Sequence, residues 1–297
     1  MVSPKTRCLL SLSVLLLLSI APTVTEVLQS MTQCAEFFLD KTPPQIPDDF
    51  KDQSRYKTIC QTYRDKRRFM TLYDTENKIP VFSAYKYRGA GMGRPKQNWE
   101  IEPQLEDSTG DKNMQDSERD TYEHQASTKD YEDEKDHDRG HLFPATFAFD
   151  EDDKMSTFTL TNIVPQAKAF NQGSWIKMEK CLGCILLRFC KNSNNVPEGY
   201  VVTGAQPGTK TLKNRVNVPS VIWSAFCCYN SERKKWIANS FWGNNVQDSP
   251  ANDIHTSPLQ DPIGGKNYDF FPGTQCPVDK TAGEIIKQIN NNCPCPP

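Results

Sequence analysis

The segment "EKDHDRGHLFPATF" (residues 134–147) carries two histidines, two aspartates and an arginine, in a chain of 297 residues with only 4 histidines. A solvated charged turn and a site both fit that composition, and the flanks decide between them. Upstream, "RFMTLYDTENKIPVFSAYKYR" (68–88) has two β-rich runs joined at "DTENK", a hairpin pattern. Downstream, "TFTLTNIVPQ" (157–166) alternates like a short strand ending at Pro165. "AFNQGSWIKMEKCLGCILLRFC" (169–190) then places apolar residues at helical spacing, with Gly173 and Gly183 interrupting it. "GYVVTGA" (199–205) and "VIWSAFCCY" (221–229) complete the strand candidates. The expected fold is α+β, a mixed sheet with helices, in which the His-rich segment is a loop between strands and a helix.

The start of the chain sets the redox context. Lys5 and Arg7 precede the apolar run Leu9 to Ile20 and the small, polar "APTVTE", the layout of a secretory signal peptide over residues 1–25. The expected mature chain begins between Ala21 and Glu26 and is secreted, retention of the leader as an anchor being the alternative. Apart from Cys8, ten cysteines remain, and an even number in an oxidising compartment favours disulfides. A zinc site on "CLGC" (181–184) is the competing reading, but it would need further clustered ligands. The pairing itself is not readable, although cysteines near both ends imply that the termini are tied down.

Residues 26–297 are long enough for one domain, and no linker or repeat divides them. Residues 100–138 hold 15 acidic and 4 basic side chains, which reads as a long, solvated acidic insertion near the mouth of any cleft. That stretch carries −11, so a mature chain near −4 keeps about +7 on the remainder. A sequence pI of 6.1 argues against a polyanionic partner, yet the compact part of the chain is basic.

Asp138-Arg139-Gly140-His141 sets a carboxylate, a guanidinium and an imidazole within four positions, and Gly140 is expected to turn the backbone so that Arg139 and His141 face one pocket. A neutral histidine takes a proton from water near physiological pH, and an arginine grips a phosphate with paired hydrogen bonds. Those are two parts of phosphodiester hydrolysis. The third is a cation such as Mg²⁺, which prefers oxygen ligands and retained waters. Asn162 and Asn171 are candidate oxygen donors.

With "DRGHL" followed by "TLTNIVPQAKAFNQGSWIKMEK", the chain resembles the DNA/RNA non-specific endonuclease family, the ββα-metal nucleases, from about Arg68 to Asn245. "CAEFF" and "IPVFSAYKYRG", with the leader, resemble the secreted endonuclease domain-containing 1 group. The register supports the match, because Asn171 follows His141 by 30 residues, Asn162 by 9 and precedes Glu179 by 8. The resemblance implies a secreted enzyme that cuts DNA and RNA with Mg²⁺, or Mn²⁺, leaving 5′-phosphate ends. It further implies His141 as general base and Asn171 as the direct metal ligand. Asn162 and Glu179 would complete the site, Arg139 would contact phosphate, and Asp138 would orient the metal's water shell. On a regular helix Asn171 and Glu179 lie about 12 Å apart along the axis, too far to share one ion directly.

Two positions depart from the family. Gln97 stands where relatives carry an arginine before the "NW" pair, with Arg94 and Lys96 nearby, and Gly183 stands where some carry a second arginine. These favour the alternative of a catalytically weak or inactive secreted binding protein on the same scaffold. Intact His141 and Asn171 argue against it. A zinc hydrolase using His137 and His141 would need a helix there, which Gly140 and Pro144 disfavour.

Overall fold

Successive strand residues point to opposite faces, and in this chain both faces of the main sheet are apolar, so it is covered on both sides. The computed structural model describes residues 26–45, 47, 50, 52–96, 98–247 and 254–295; the expected leader and Gln97 lie outside the described residues. The strands among them are β1 (Val27–Leu28), β2 (Tyr56–Tyr63), β3 (Lys66–Asp74), β4 (Ile79–Tyr87), β5 (Glu100–Ile101), β6 (Gln115–Asp116), β7 (His137–His141), β8 (Ile163–Ala167), β9 (Gly199–Gln206), β10 (Lys210–Leu212), β11 (Val216–Val218), β12 (Val221–Asn230), β13 (Lys235–Asn244) and β14 (His255–Ser257). Helices are α1 (Pro103–Glu106), α2 (Glu151–Ser156), α3 (Lys168–Phe170), α4 (Ile176–Phe189), α5 (Ala282–Ile285) and α6 (Gln288–Asn292).

Eight strands form one antiparallel sheet in the order β1-β2-β3-β4-β9-β12-β13-β14. Along β12, Ile222, Phe226 and Cys228 face a layer built from α4 and the β7–β8 hairpin. Trp223, Ala225 and Cys227 face the opposite layer, made by Phe37, Phe38 and Leu39 near the N-terminus and by Leu259, Ile263, Phe270 and Phe271. The α4 stripe Met178, Leu182, Ile185 and Leu186 is buried against the first face. Each such side chain contributes roughly 1.5–3 kcal/mol by leaving water.

All ten cysteines between residues 26 and 295 are in disulfides. Cys227 and Cys228 are strand neighbours and therefore bond to opposite layers, one to Cys276 and the other to Cys190 at the end of α4. Cys181 and Cys184 bond to Cys295 and Cys293, which places the "CLGC" pair in structural bridges rather than a zinc site. These two close loops of 114 and 109 residues. In the chain-entropy view the first is worth about 4–5 kcal/mol, and the second adds less because its loop is already closed. Cys34–Cys60 ties down the N-terminal end.

Two sequence expectations need correction. Residues 100–138 are not a solvated insertion: Ile101, Leu105, Met114, Tyr122, Ala126 and Tyr131 are buried between the acids. Several of those acids are used internally, Asp130 by Arg215 at 2.9 Å and Glu106 by the backbone amides of Glu123 and His124. In addition, the strand expected over 157–166 starts only at Ile163 and runs through Pro165, after a 3-10 turn at Leu160–Asn162. Pro165 is tolerated because β8 pairs only with β7, on the edge of a two-stranded ladder.

Burial pushes the Glu102 carboxyl up from 4.5 to about 8, against the pull of the Thr159 and Thr161 hydroxyls. A carboxyl raised on folding stabilises fully below its unfolded pKa, and that stability is lost as pH rises through the folded one. The unfolding free energy is expected to fall between about pH 5 and pH 8.5, and Glu102→Gln is expected to flatten that slope in denaturant titrations. Parallel wild-type and variant slopes would contradict it.

Candidate active site

The "DHDRGH" segment is a strand, not a loop. β7 pairs antiparallel with β8 in the register His137 to Ala167, Arg139 to Pro165 and His141 to Ile163. Alternation along that strand, and not a turn at Gly140, puts Arg139 and His141 on one side. Gly140 is required for a different reason: a Cβ there would lie 2.2 Å from Gln166 Oε1 and 2.6 Å from Gln166 Cβ. His137 and His141 are four positions apart on a strand, so about 13 Å separates them and they cannot share a zinc ion. His137 instead sits beside Glu134, Nδ1 to Oε1 at 3.2 Å.

After β8 the chain enters α3, then a π-helical turn at Asn171–Trp175, then α4 without a break. On a regular α-helix Asn171 and Glu179, eight residues apart, would differ by about 80° in azimuth. The wider π turn carries the first residues around the axis, and Asn171 and Glu179 both line one cleft. Asn171 donates from Nδ2 to Asp138 Oδ2 at 2.9 Å, and Gln172 donates to the same oxygen at 2.8 Å. The bond to Asp138 fixes the amide's orientation and turns its Oδ1 away from the carboxylate.

The cleft encloses about 730 Å³ and is lined by Asp138, Arg139, His141, Asn171 and Glu179, with the cations Arg94, Lys168 and Lys180. The rings of Trp99 and Phe158 enclose His141, with centroids 5.4 and 5.1 Å away. That burial, with the Arg94 charge adding to it, lowers the imidazole from 6.5 to about 3, while a hydrogen bond to the Arg139 backbone pulls the other way. The ring is therefore neutral at physiological pH. His141 Nε2 is buried and has no hydrogen-bond partner. Burial acts oppositely on Glu179, raising it to about 7 against a hydrogen bond from Trp175 and the Arg94 charge. The Arg139 guanidinium is sandwiched between Trp99 and Tyr131, 5.4 and 5.3 Å from their centroids, and donates to Thr128 O at 3.1 Å.

Five of the six expected site residues meet in this cleft, and Asn162 does not. It is fully buried: its Oδ1 accepts from Ser83 Oγ and Phe143 N, and its Nδ2 donates to Phe143 O and Thr157 O. With its capacity spent, it braces the chain just beyond His141. Gly183 lines the cleft but faces Phe147, whose ring would lie 3.0 Å from an added Cβ. Arg94 also lines the cleft, although its "RPK" context carries no motif that would single it out.

The donor set suits a hard divalent cation. Asn171 offers an amide oxygen, Asp138 and Glu179 offer carboxylates along the same cleft, and no cluster of three His, Cys, Asp or Glu ligands occurs among the described residues. An ion held here by so few protein donors would keep most of its waters.

A family model described as DNA/RNA non-specific endonuclease matches residues 49–275, wider than the span about Arg68 to Asn245 expected from the motifs. The endonuclease domain-containing 1 protein of Homo sapiens is 32% identical over 203 residues, covering 66% of this chain and 39% of that protein. Its Mus musculus counterpart is 30% identical over 205 residues, covering 66% and 38%. The chain thus spans about two fifths of the length of these relatives. Among solved structures, the crystal structure of an EndoG/EndoGI complex aligns with a TM-score of 0.48 and 17% identity, over 67% of this chain and 81% of that chain.

Asn162→Ala is expected to strip partners from four buried groups and to cost about 2–4 kcal/mol in unfolding free energy. A variant of full stability that had lost all activity would return Asn162 to the reacting centre.

Proposed function

The chain belongs to the DNA/RNA non-specific endonuclease family, and from that premise we propose that it hydrolyses phosphodiester bonds of DNA and RNA as a secreted, Mg²⁺- or Mn²⁺-dependent enzyme. The observation that carries this reading is the unpartnered Nε2 of a neutral His141, set in one cleft with an Asn171 amide oriented by Asp138. In this reading the neutral His141 imidazole takes the proton of the attacking water. Arg139, stacked between two rings, meets a phosphate oxygen with little rotamer freedom left to lose. The cation, held by Asn171, supplies positive charge to the scissile phosphate when bound. Glu179 serves as a carboxylate at the far wall, and Lys168 and Lys180 extend the positive surface along the backbone track. Every contact so assigned goes to phosphate or water and none to a base edge, which accounts for cutting both nucleic acids without sequence preference.

Plasmid nicking by the purified protein tests the reading. With millimolar Mg²⁺ the wild type is expected to degrade supercoiled DNA, EDTA to stop it, and His141→Ala to lower the rate by about 100- to 10,000-fold. A folded, disulfide-bonded wild type that is inert across Mg²⁺, Mn²⁺ and pH would instead favour a binding protein on this scaffold. The rate is also expected to rise as pH passes about 7, where Glu179 ionises, and Glu179→Gln is expected to lose that limb. A limb that persists in the variant belongs to another group.

A further inference from the structure

The loop after β4, with the sequence "RGAGMGRP" (88–95), also reaches the cleft, through Arg94. Gly91 N donates to Ala148 O at 3.0 Å, and a Cβ on Gly91 would lie 2.6 Å from Phe149 O, so the two backbones touch directly. Gly93, at φ +79°, makes the left-handed turn that ends in Arg94. Lys154 of α2, only 3% exposed, donates its ammonium to Gly91 O at 2.7 Å and Gly93 O at 2.8 Å. A charge so buried is costly unless its bonds are met, and here they are met by the loop's carbonyls. The preceding residue of α2 is itself anchored, because Asp153 accepts from Arg68 at 2.9 Å and from Arg88 at 2.6 Å.

This latch delivers Arg94 to the cleft wall. Its guanidinium carbon lies 5.4 Å from the Phe158 centroid, the same ring that meets His141 edge-on at 5.1 Å. No carboxylate lies within ion-pair distance of Arg94 among the described residues. Its charge nevertheless acts on both His141 and Glu179. A cation fixed beside the base and left without an anion is matched by an anion that arrives with substrate. Lys96, two residues on, lines a separate concavity with Tyr63, Asn98 and Asp116.

We propose that the 88–95 loop is a phosphate-holding arm, in which Arg94 grips the substrate phosphate beside His141 and Lys154 is the positioning residue that latches the arm. The proposal rests on the hydrolytic reading above. It assigns to Arg94 the electrostatic role that glutamine at position 97 cannot fill, from a site three residues earlier in the chain.

The test combines kinetics on duplex DNA with the salt dependence of DNA binding. Arg94→Ala is expected to lower kcat by about 100-fold or more, with Arg94→Lys in between. It is also expected to reduce the slope of log affinity against log salt by about one, measured in the His141→Ala background. Lys154→Met is expected to lower kcat by roughly 10-fold and to add nothing to Arg94→Ala, since a latch matters only through what it holds. Should that variant not fold, Lys154→Arg carries the same comparison. Lys96→Ala is expected to match wild type. An Arg94→Ala enzyme with full kcat in an active wild-type background overturns the arm alone, as do Lys154 and Arg94 losses that multiply, or a Lys96→Ala loss equal to that of Arg94→Ala. An inert wild type overturns the hydrolytic reading, and the salt slope then decides the arm: a drop of about one upholds it, and no change overturns it.

Discussion

One buried amide holds the centre of this molecule together. Asn162 joins Ser83 of the main sheet, both backbone groups of Phe143 just past β7, and the carbonyl of Thr157 after α2. The β7–β8 hairpin packs on the main sheet, and Asn245, just past β13, accepts from Ala167 N at 2.7 Å and donates to Pro165 O at 2.9 Å, while its two strands pair only with each other. The four Asn162 bonds, with the Phe143 ring stacked on Tyr85 at 4.0 Å, fix the segment just past His141 relative to β4. The close approach of Gln166 to Gly140 sets the hairpin from its other side, where any larger residue would push the strand away.

From that placement follow the charges. One cleft holds an imidazole kept neutral and a carboxyl raised toward neutrality, both by burial, with Arg94 acting on each. Groups whose environments push their titration apart in this way are the ordinary mark of proton-handling sites. The helix that carries Asn171 and Glu179 is fixed along its length, at Cys181 and Cys184 to the C-terminal tail and at Cys190 to β12. Its cleft-facing end therefore cannot swing independently of the sheet, which keeps Asn171 and Glu179 in register with the strand that carries His141.

Much of the scaffold was legible in the sequence. The β3–β4 hairpin, β9, β12 and the long helix follow from alternation and periodicity, and the disulfide character of the cysteines from their number and the expected compartment. The "DRGH" strand was not legible, because charges and a glycine mimic a loop when the residues that enclose them lie 40 positions away in Trp99. Nor could the packed state of residues 100–138 be read: composition averages the stretch, and hides that Ile101, Leu105, Tyr122 and Tyr131 fall inward among the acids. Asn162 and Asn171 are alike in sequence and differ in surroundings, one spent on four internal bonds and the other lining the cleft. Only three-dimensional neighbours separate them. The π turn that brings Asn171 and Glu179 to one cleft has no signature beyond Gly173.

The central claim is that the fold holds His141 neutral. Nitrogen-15 NMR of the imidazole across pH, on metal-free protein, measures this directly. The account predicts a neutral ring from pH 8 down to about pH 5, with titration only near 3, far below the ordinary 6.5. A midpoint near 6.5 would contradict it.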